Sequence, residues 1–324
     1  VKVLVTGANG FVGSHLVPQL ASEGHEVIAA VRTAGTASAP STETLIGSID
    51  EHTAWDAALV GVEAVVHLAA RVHVMKESAV DSLAEFRRVN VDGTRRLLEA
   101  CVRDGVRRFI FISSVKVNGE LTSGAAFTAM SPSKPADPYA KSKAEAEDLL
   151  LKVAARAKIE VVIVRTPLVY GPGVGGNFRL LLALARTAAP LPLGSISNRR
   201  TMASIWNLND AIIASLGSTP ESGTVVVASD STAHSTGAIV ADLRRSLGKR
   251  PRIFVFPVVV LRLLGRMTGR SAAVQRLTES LEVVPGSTSS QWDWTPPYSV
   301  KECLGWTTAG SGPHLQPPAA KTNP

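Results

Sequence analysis

The junction at the start of this chain constrains its fold more than any other feature: an apolar, β-branched run over residues 1–5 breaks at once into Thr6-Gly-Ala-Asn-Gly-Phe-Val-Gly13. The run has the length and composition of a buried strand, and the three glycines fall where the chain must turn into a helix. Gly7 suits a tight turn, Gly10 a backbone that closely approaches a bound group, and Gly13 a helix packed tightly on its strand. Asn9, Phe11 and Val12 complete the turn. A helix starting there aims its unpaired N–H groups and its positive dipole end at the turn, which favours a pyrophosphate. A glycine triplet alone is a weak signal, but directly after a strand it predicts the first βα unit of a dinucleotide-binding sheet. Pro18 lies inside the predicted helix, where it removes a hydrogen bond and predicts a kink, while Val12, Leu16 and Leu20 keep an apolar stripe.

Strand and helix then alternate. Strands are predicted at 26–31, 45–49, 64–68, 108–113 and 160–165, with a long helical stretch at 79–104. This is the grammar of an α/β fold with a doubly wound parallel sheet of the Rossmann type. After Pro167 the pattern changes, with glycine and proline clustered at 171–176 and 190–194 and shorter elements between. The reading is a dinucleotide-binding domain over 1–166, a smaller α/β substrate-capping region over 167–306 partly interleaved with the sheet, and a disordered tail over 307–324, where core-forming residues nearly vanish. A chain of 324 residues with 45% apolar content can bury a sizeable core.

Chemistry enters at Tyr139-Ala-Lys-Ser-Lys143, with Ser113 and Ser114 upstream. Asp137 is a good N-cap and Pro138 a good first helical residue, so Tyr139 is predicted in the first turn of a helix with Lys143 beside it on the same face. A phenol titrates near pH 10, so service as a base near pH 7 requires a depression of roughly 3 units, about 4 kcal/mol in favour of phenolate. A lysine ammonium, the positive helix start and a cationic nicotinamide ring would all push that way.

The second predicted strand ends in Ala30-Val-Arg32, where a carboxylate would ordinarily hold the adenosine ribose. Arg32 suits a 2′-phosphate, or is solvated or stacked on the adenine, so the cofactor is NAD or NADP. Asp50 is a candidate for the adenine amino group. The net charge of +7 suits an anionic partner, but the arginine pairs at 87–88, 95–96, 107–108 and 199–200 lack interleaved aromatics, which argues against nucleic acid. Cys101 and Cys303 have neither metal-ligand nor redox spacing. The longest apolar stretch, 253–265, carries Pro257 and Arg262 and is too short to span a bilayer. With no signal-peptide pattern in the opening segment, the expected compartment is the cytoplasm.

Taken together, Thr6 to Gly13, His67-Leu-Ala-Ala70, Asn90, Ser113-Ser114, the YxxxK pair and Arg165-Thr-Pro-Leu-Val-Tyr-Gly-Pro172 resemble the extended short-chain dehydrogenase/reductases. Ser114-Val-Lys-Val-Asn-Gly-Glu120, Pro192-Leu-Gly and Asn198-Arg-Arg200 narrow the resemblance to the nucleotide-sugar epimerase/dehydratase group, like the UDP-glucose 4-epimerases. The resemblance implies Tyr139 as acid/base, Lys143 on the nicotinamide ribose, Ser114 on the reacting sugar hydroxyl and Asn90 supporting the active-site helix. It further implies Leu68, Ala69 and Ala70 along the cofactor, and Lys116, Asn177 and Arg200 toward the substrate and its diphosphate. The same group's dehydratases carry an Asp-Glu pair where Val115 and Lys116 stand, which argues against a 4,6-dehydratase. Leu168 replaces an asparagine common in UDP-galactose epimerases, and His73 and Met75 fall where the family's sugar-facing loop lies. The implied activity is a UDP-hexose 4-epimerase. The alternatives are a 4-keto reductase of a UDP-(6-deoxy)sugar, a reductase of a small non-nucleotide carbonyl, and a non-catalytic dinucleotide sensor. Relatives pair through the helices corresponding to 81–104 and 139–156, so a homodimer is expected.

Overall fold

The computed structural model describes residues 1–72, 82–217 and 221–313. Its strands are β1 (Lys2–Thr6), β2 (Glu26–Val31), β3 (Thr42–Leu45), β4 (Ala64–His67), β5 (Arg108–Ser114), β6 (Glu160–Thr166), β7 (Leu168–Tyr170), β8 (Met202–Ser204), β9 (Thr224–Val227) and β10 (Gly286–Ser287). Eight of them form one sheet in the order β10-β9-β6-β5-β4-β1-β2-β3, parallel except for the β9–β10 edge. β7 and β8 form a small parallel pair of their own. The sheet is therefore doubly wound, as the sequence predicts, and its order reverses between β1 and β4.

Continuous apolar runs make these strands because both faces of the sheet are covered. Along β1, Leu4 packs into one core cluster while Val3 and Val5 face the other. α1 (Gly13–Ser22) and, later in the chain, α6 (Ile205–Gly217) cover one face through Leu16, Leu20, Leu208 and Ile212. On the other face, Leu97, Cys101, Ala146 and Leu150 come from α3 (Gly93–Arg103) and α4 (Pro138–Ala154). α2 (Ser82–Arg87) precedes α3 and is joined to it by a π-helical turn, Arg88–Asp92. A third cluster, around Phe178, Trp206, Val240 and Leu304, joins α6 to α5 (Gly176–Arg186), α7 (Thr236–Ser246) and α10 (Val300–Ala309). α8 (Val258–Met267) and α9 (Ser271–Thr278) lie between α7 and α10 in the chain.

Several boundaries differ from those predicted, for local reasons. α1 runs through Pro18, and the Ser14 carbonyl that Pro18 leaves without an amide accepts the Ser38 hydroxyl at 3.1 Å. The third strand is 42–45 rather than 45–49, because pairing with β2 ends at Leu45 and the following Ile46 and Ile49 turn onto the core. The helical stretch predicted at 79–104 is interrupted at Arg88–Asp92 within its described part. β8 stops at Ser204, whose hydroxyl accepts the Asn207 amide at 3.1 Å and starts α6. Residues 307–309, assigned to a tail, are the last turn of α10, with Thr307 buried and Gly312 packed on Trp206. After residue 167 the chain returns to the sheet through α6 and β9.

Candidate active site

A cleft of about 620 Å³ opens at the C-terminal ends of β1 and β4, where the strand order reverses. Gly7, Asn9, Gly10, Phe11, Val12 and Gly13 line one side, with Leu68, Ala69 and Ala70 opposite and Arg32 at the end of β2. The glycines are there for want of space. Gly7 has φ +67°, and a Cβ on it would lie 2.9 Å from the Ala69 nitrogen, while a Cβ on Gly13 would lie 2.3 Å from the Gly7 oxygen. Asp50 is not part of this lining. Its Oδ1 accepts the His52 amide at 3.0 Å and its Oδ2 lies 3.5 Å from Arg88, so the neighbouring Ser48 and Ile49 face the cleft instead. The guanidinium of Arg32 forms no ion pair with a described residue.

α4 begins as its sequence predicts: Asp137 Oδ1 accepts the Ala140 amide at 2.6 Å, and Pro138 is the first helical residue. Tyr139 therefore sits in the first turn, edge-on to Phe86 with ring centroids 6.1 Å apart, and its phenol feels the Ser114 side chain at the end of β5. The expected depression of its pKa is not a property of the protein alone. Burial and the Asp137 carboxylate push the phenol up to about 12, against a smaller opposing effect from Ser114. Tyr139 is half-buried, whereas Lys143 is fully buried, its ammonium 3.8 Å from the centre of the Phe111 ring, and burial drives it down to about 7 although Glu147 favours its charge. A lysine half neutral near pH 7 is a weak source of field for the phenol one turn away. Neither Tyr139 nor Lys143 lines the 620 Å³ cleft, which ends near Ile112 and Val169.

Asn90 ties the helix to the cleft. Its amide donates to Ser142 Oγ at 2.9 Å and to the Arg71 carbonyl at 3.0 Å, and its Oδ1 accepts the Arg71 amide at 2.8 Å. Ser142 in turn donates to the Tyr139 carbonyl at 2.8 Å. The π-helical turn gives Asn90 this inward position, and such turns recur at functional sites.

Two buried arrangements here are not apparent from the motifs. His67 Nδ1 lies 2.7 Å from Thr6 Oγ1 and its Nε2 3.0 Å from Thr94 Oγ1. Because Thr94 already donates to the Asn90 carbonyl at 2.8 Å, it accepts from His67, and Nε2 carries the proton. Thr6 also accepts the Ala69 amide at 3.1 Å, so one chain of hydrogen bonds links the glycine turn, the loop after β4 and the Asn90 turn. Glu147, one turn beyond Lys143, takes the Arg165 guanidinium at 2.7 to 3.2 Å with both side chains buried. The i, i+4, i+8 spacing of Tyr139, Lys143 and Glu147 was the signal available in the sequence.

The residues predicted on the substrate side are spread out. Lys116 is held by Asp137 and Glu120, so its charge is paired at the cap of α4. Asn177 is exposed in the first turn of α5, one residue past the start rather than at the cap, which is Gly175. Arg200 donates to the Arg276 and Glu279 carbonyls at 2.9 and 3.2 Å at the end of α9, whereas Arg199 pairs with Glu282. His73 and Met75 lie outside the described residues. No group of three potential metal ligands occurs among the described residues.

A doubly wound parallel sheet with a glycine turn at its reversal and a Tyr–Lys pair on the helix beyond β5 defines a nicotinamide-dinucleotide enzyme. The chain belongs to the NAD dependent epimerase/dehydratase family, whose model matches residues 3–228. It is 37% identical over 303 residues to a UDP-glucose 4-epimerase of Vibrio cholerae, covering 93% of this chain and 92% of that protein. It is 29% identical to an N-acetyl-alpha-D-glucosaminyl-diphospho-ditrans,octacis-undecaprenol 4-epimerase of Escherichia coli O157:H7, covering 92% and 89%. Among solved structures it is similar to MoeE5 in complex with UDP-glucuronic acid and NAD, at 27% identity and TM-score 0.71 over 95% of this chain and 98% of that one. The fold is also that of the UDP-glucose 4-epimerase of Thermus thermophilus, at 23% identity and TM-score 0.73 over 95% and 98%.

Proposed function

We propose that this protein is an NAD-dependent 4-epimerase of UDP-linked hexoses. The observation that carries the reading is a Tyr139–Lys143 pair one turn apart on α4, registered through Ser142 and Asn90 against a cleft shaped for a dinucleotide. The similarity to a UDP-glucose 4-epimerase over nearly the whole chain supports the substrate. The cradle fits the cofactor, since the turn at 7–13 excludes any Cβ at Gly7 and Gly13 and leaves backbone N–H groups for a pyrophosphate. NAD, when bound, supplies a two-electron acceptor and donor for the sugar's C4 carbon.

In this reading Tyr139 takes the proton of the C4 hydroxyl and returns it, and Ser114 orients that hydroxyl by a hydrogen bond. Lys143, when protonated, favours the phenolate from one turn along α4. Asn90 keeps the first turn of α4 registered against the cleft through Ser142 and the Arg71 backbone. Residues 1–166 form the cofactor-binding part, with Ser48 and Ile49 rather than Asp50 facing the cleft. The region after 167 caps the substrate, with Asn177 and Arg200 toward its diphosphate and Lys116 nearer the sugar. Arginine suits the diphosphate because its planar fork can still reach phosphate oxygens after one nitrogen is fixed on backbone carbonyls. We place the enzyme in the cytoplasm as a homodimer joined through α3 and α4.

Arg32 favours a second reading. With no carboxylate at the end of β2, NADPH and a 4-keto reductase fit the same residues. One experiment separates the two. Purified protein is denatured and the released dinucleotide identified by mass, and UDP-glucose is incubated with intact protein without added cofactor while UDP-galactose is followed by chromatography. Interconversion with stoichiometric NAD supports the epimerase. Empty protein that converts no UDP-hexose but consumes NADPH with a 4-keto UDP-sugar overturns it.

A further inference from the structure

We propose that α8 and the segment leading into it are a docking surface for an anionic phospholipid membrane. α8 inverts the usual pattern of a surface helix, in which the outward face is polar. Val258 and Leu261 pack on the third core cluster, and Gly265 lies so close to α9 that a Cβ there would be 2.7 Å from Val274. The outward face carries Val259, Val260, Leu263, Leu264 and Met267, preceded by Phe254 and Val255. Val255, Val259 and Met267 are 80%, 77% and 75% exposed, so this is an open apolar stripe rather than a half-covered groove. Contiguous apolar surface of this kind marks a site of contact.

Charge identifies the occupant. Residues 243–278 contain nine arginines and lysines and no acidic residue, in a chain whose net charge is only +7, so the remainder is slightly acidic. Arg244 is buried against backbone carbonyls and Arg245 pairs with Asp242, but Lys249, Arg250, Arg252, Arg262, Arg266 and Arg270 are exposed, Lys249 and Arg252 each donating to one carbonyl at or just after the end of α5 and Arg262 and Arg266 lying on α8 itself. On the helical wheel Arg262 and Arg266 flank the apolar arc on one side. A hollow of about 280 Å³ between α8 and α9 is lined by both of them with Ser271 and Gln275, and by Glu279 and Val274. Apolar side chains entering the acyl boundary with arginines level with the phosphates is the arrangement of an interfacial helix. It requires no spanning segment, and among the described residues no helix is long and apolar enough to cross a membrane. A second copy of this chain is a poorer occupant, since two such faces would bring their arginines together without a carboxylate in the segment to pair them.

The test is co-sedimentation of the full-length protein with vesicles of phosphatidylcholine alone and of phosphatidylcholine mixed with phosphatidylglycerol, with two double variants. One is Val259→Ser with Leu263→Ser and the other Arg262→Glu with Arg266→Glu. All four side chains are exposed, and circular dichroism checks that each variant is folded. Wild type is expected to bind the anionic vesicles and not the neutral ones, with binding weakened by salt. Each variant is expected to lose about tenfold or more in binding. Absence of vesicle binding by the wild type, equal binding to both vesicle types, or variants that bind as well as wild type would overturn the proposal. Concentration-dependent self-association abolished by the serine variant, without vesicle binding, would assign the face to a second copy instead.

Discussion

Replacing His67 with glutamine should flatten the acid limb of this protein's stability. The imidazole is 1% exposed, accepts from Thr6, donates to Thr94 and stacks on Phe111 with ring centroids 5.8 Å apart. Burial, with a smaller contribution from Lys143, pushes its pKa down to about 3 from the ordinary 6.5. Between those values the unfolded chain binds a proton that the folded protein refuses, so stability falls as pH falls. Above pH 6.5 neither state is protonated there and the contribution is constant. The slope is about 1.4 kcal/mol per pH unit, which gives a loss of about 2 kcal/mol by pH 5 and about 5 kcal/mol by the lower end of the window. Glutamine can serve both threonines but takes no proton. Its stability at pH 8 will be lower, because the stacking on Phe111 is lost, and the informative quantity is the difference between pH 8 and pH 5. Urea unfolding of both proteins at pH 8, 6.5 and 5 measures it, with all other titrating groups common to the two. Wild type should lose about 2 kcal/mol more than the variant over that interval. Parallel pH profiles would refute the neutral, doubly hydrogen-bonded His67 on which the tautomer and the Thr6–His67–Thr94 link depend.

Three other changes probe the site. Tyr139→Phe should melt within a degree or two of wild type yet lose about 10² to 10⁴ in kcat, and near-normal turnover would remove Tyr139 from proton transfer. Arg165→Met leaves Glu147 buried without its partner and should cost about 3–5 kcal/mol in urea unfolding, much of it recovered by adding Glu147→Leu. Gly13→Ala forces a Cβ against the Gly7 oxygen and should destabilise the fold by about 1–3 kcal/mol and weaken NAD binding in a fluorescence titration. Unchanged melting and affinity would mean that the turn is not the cradle described.

Much of this was legible in the sequence, because it depends on neighbours along the chain. The β-branched runs of β1, β2, β5 and β6, the glycine turn, the Asp137–Pro138 start of α4 and the pairing of Tyr139 with Lys143 on one face are local patterns set by backbone sterics, capping and helical period. Ambiguity remained where local preference is weak. The edge strand β3 is fixed by the register β2 offers it, and α10, which runs to Ala309, is held by packing on the third cluster before it stops at a left-handed Gly310.

What the sequence determined by itself is therefore the order of strands and helices up to residue 166 and the identity of the chemical groups. Tertiary structure decided their electrical state and their company. Burial raised the Tyr139 phenol and lowered Lys143, reversing the expected activation, and a fold that brings residues 6, 67, 90 and 94 together built a hydrogen-bonded link that no spacing rule reveals. The reason is physical. Hydrogen-bonded turns and helix faces are settled within a few residues, whereas desolvation and long-range polar partners depend on what the rest of the chain places around a group.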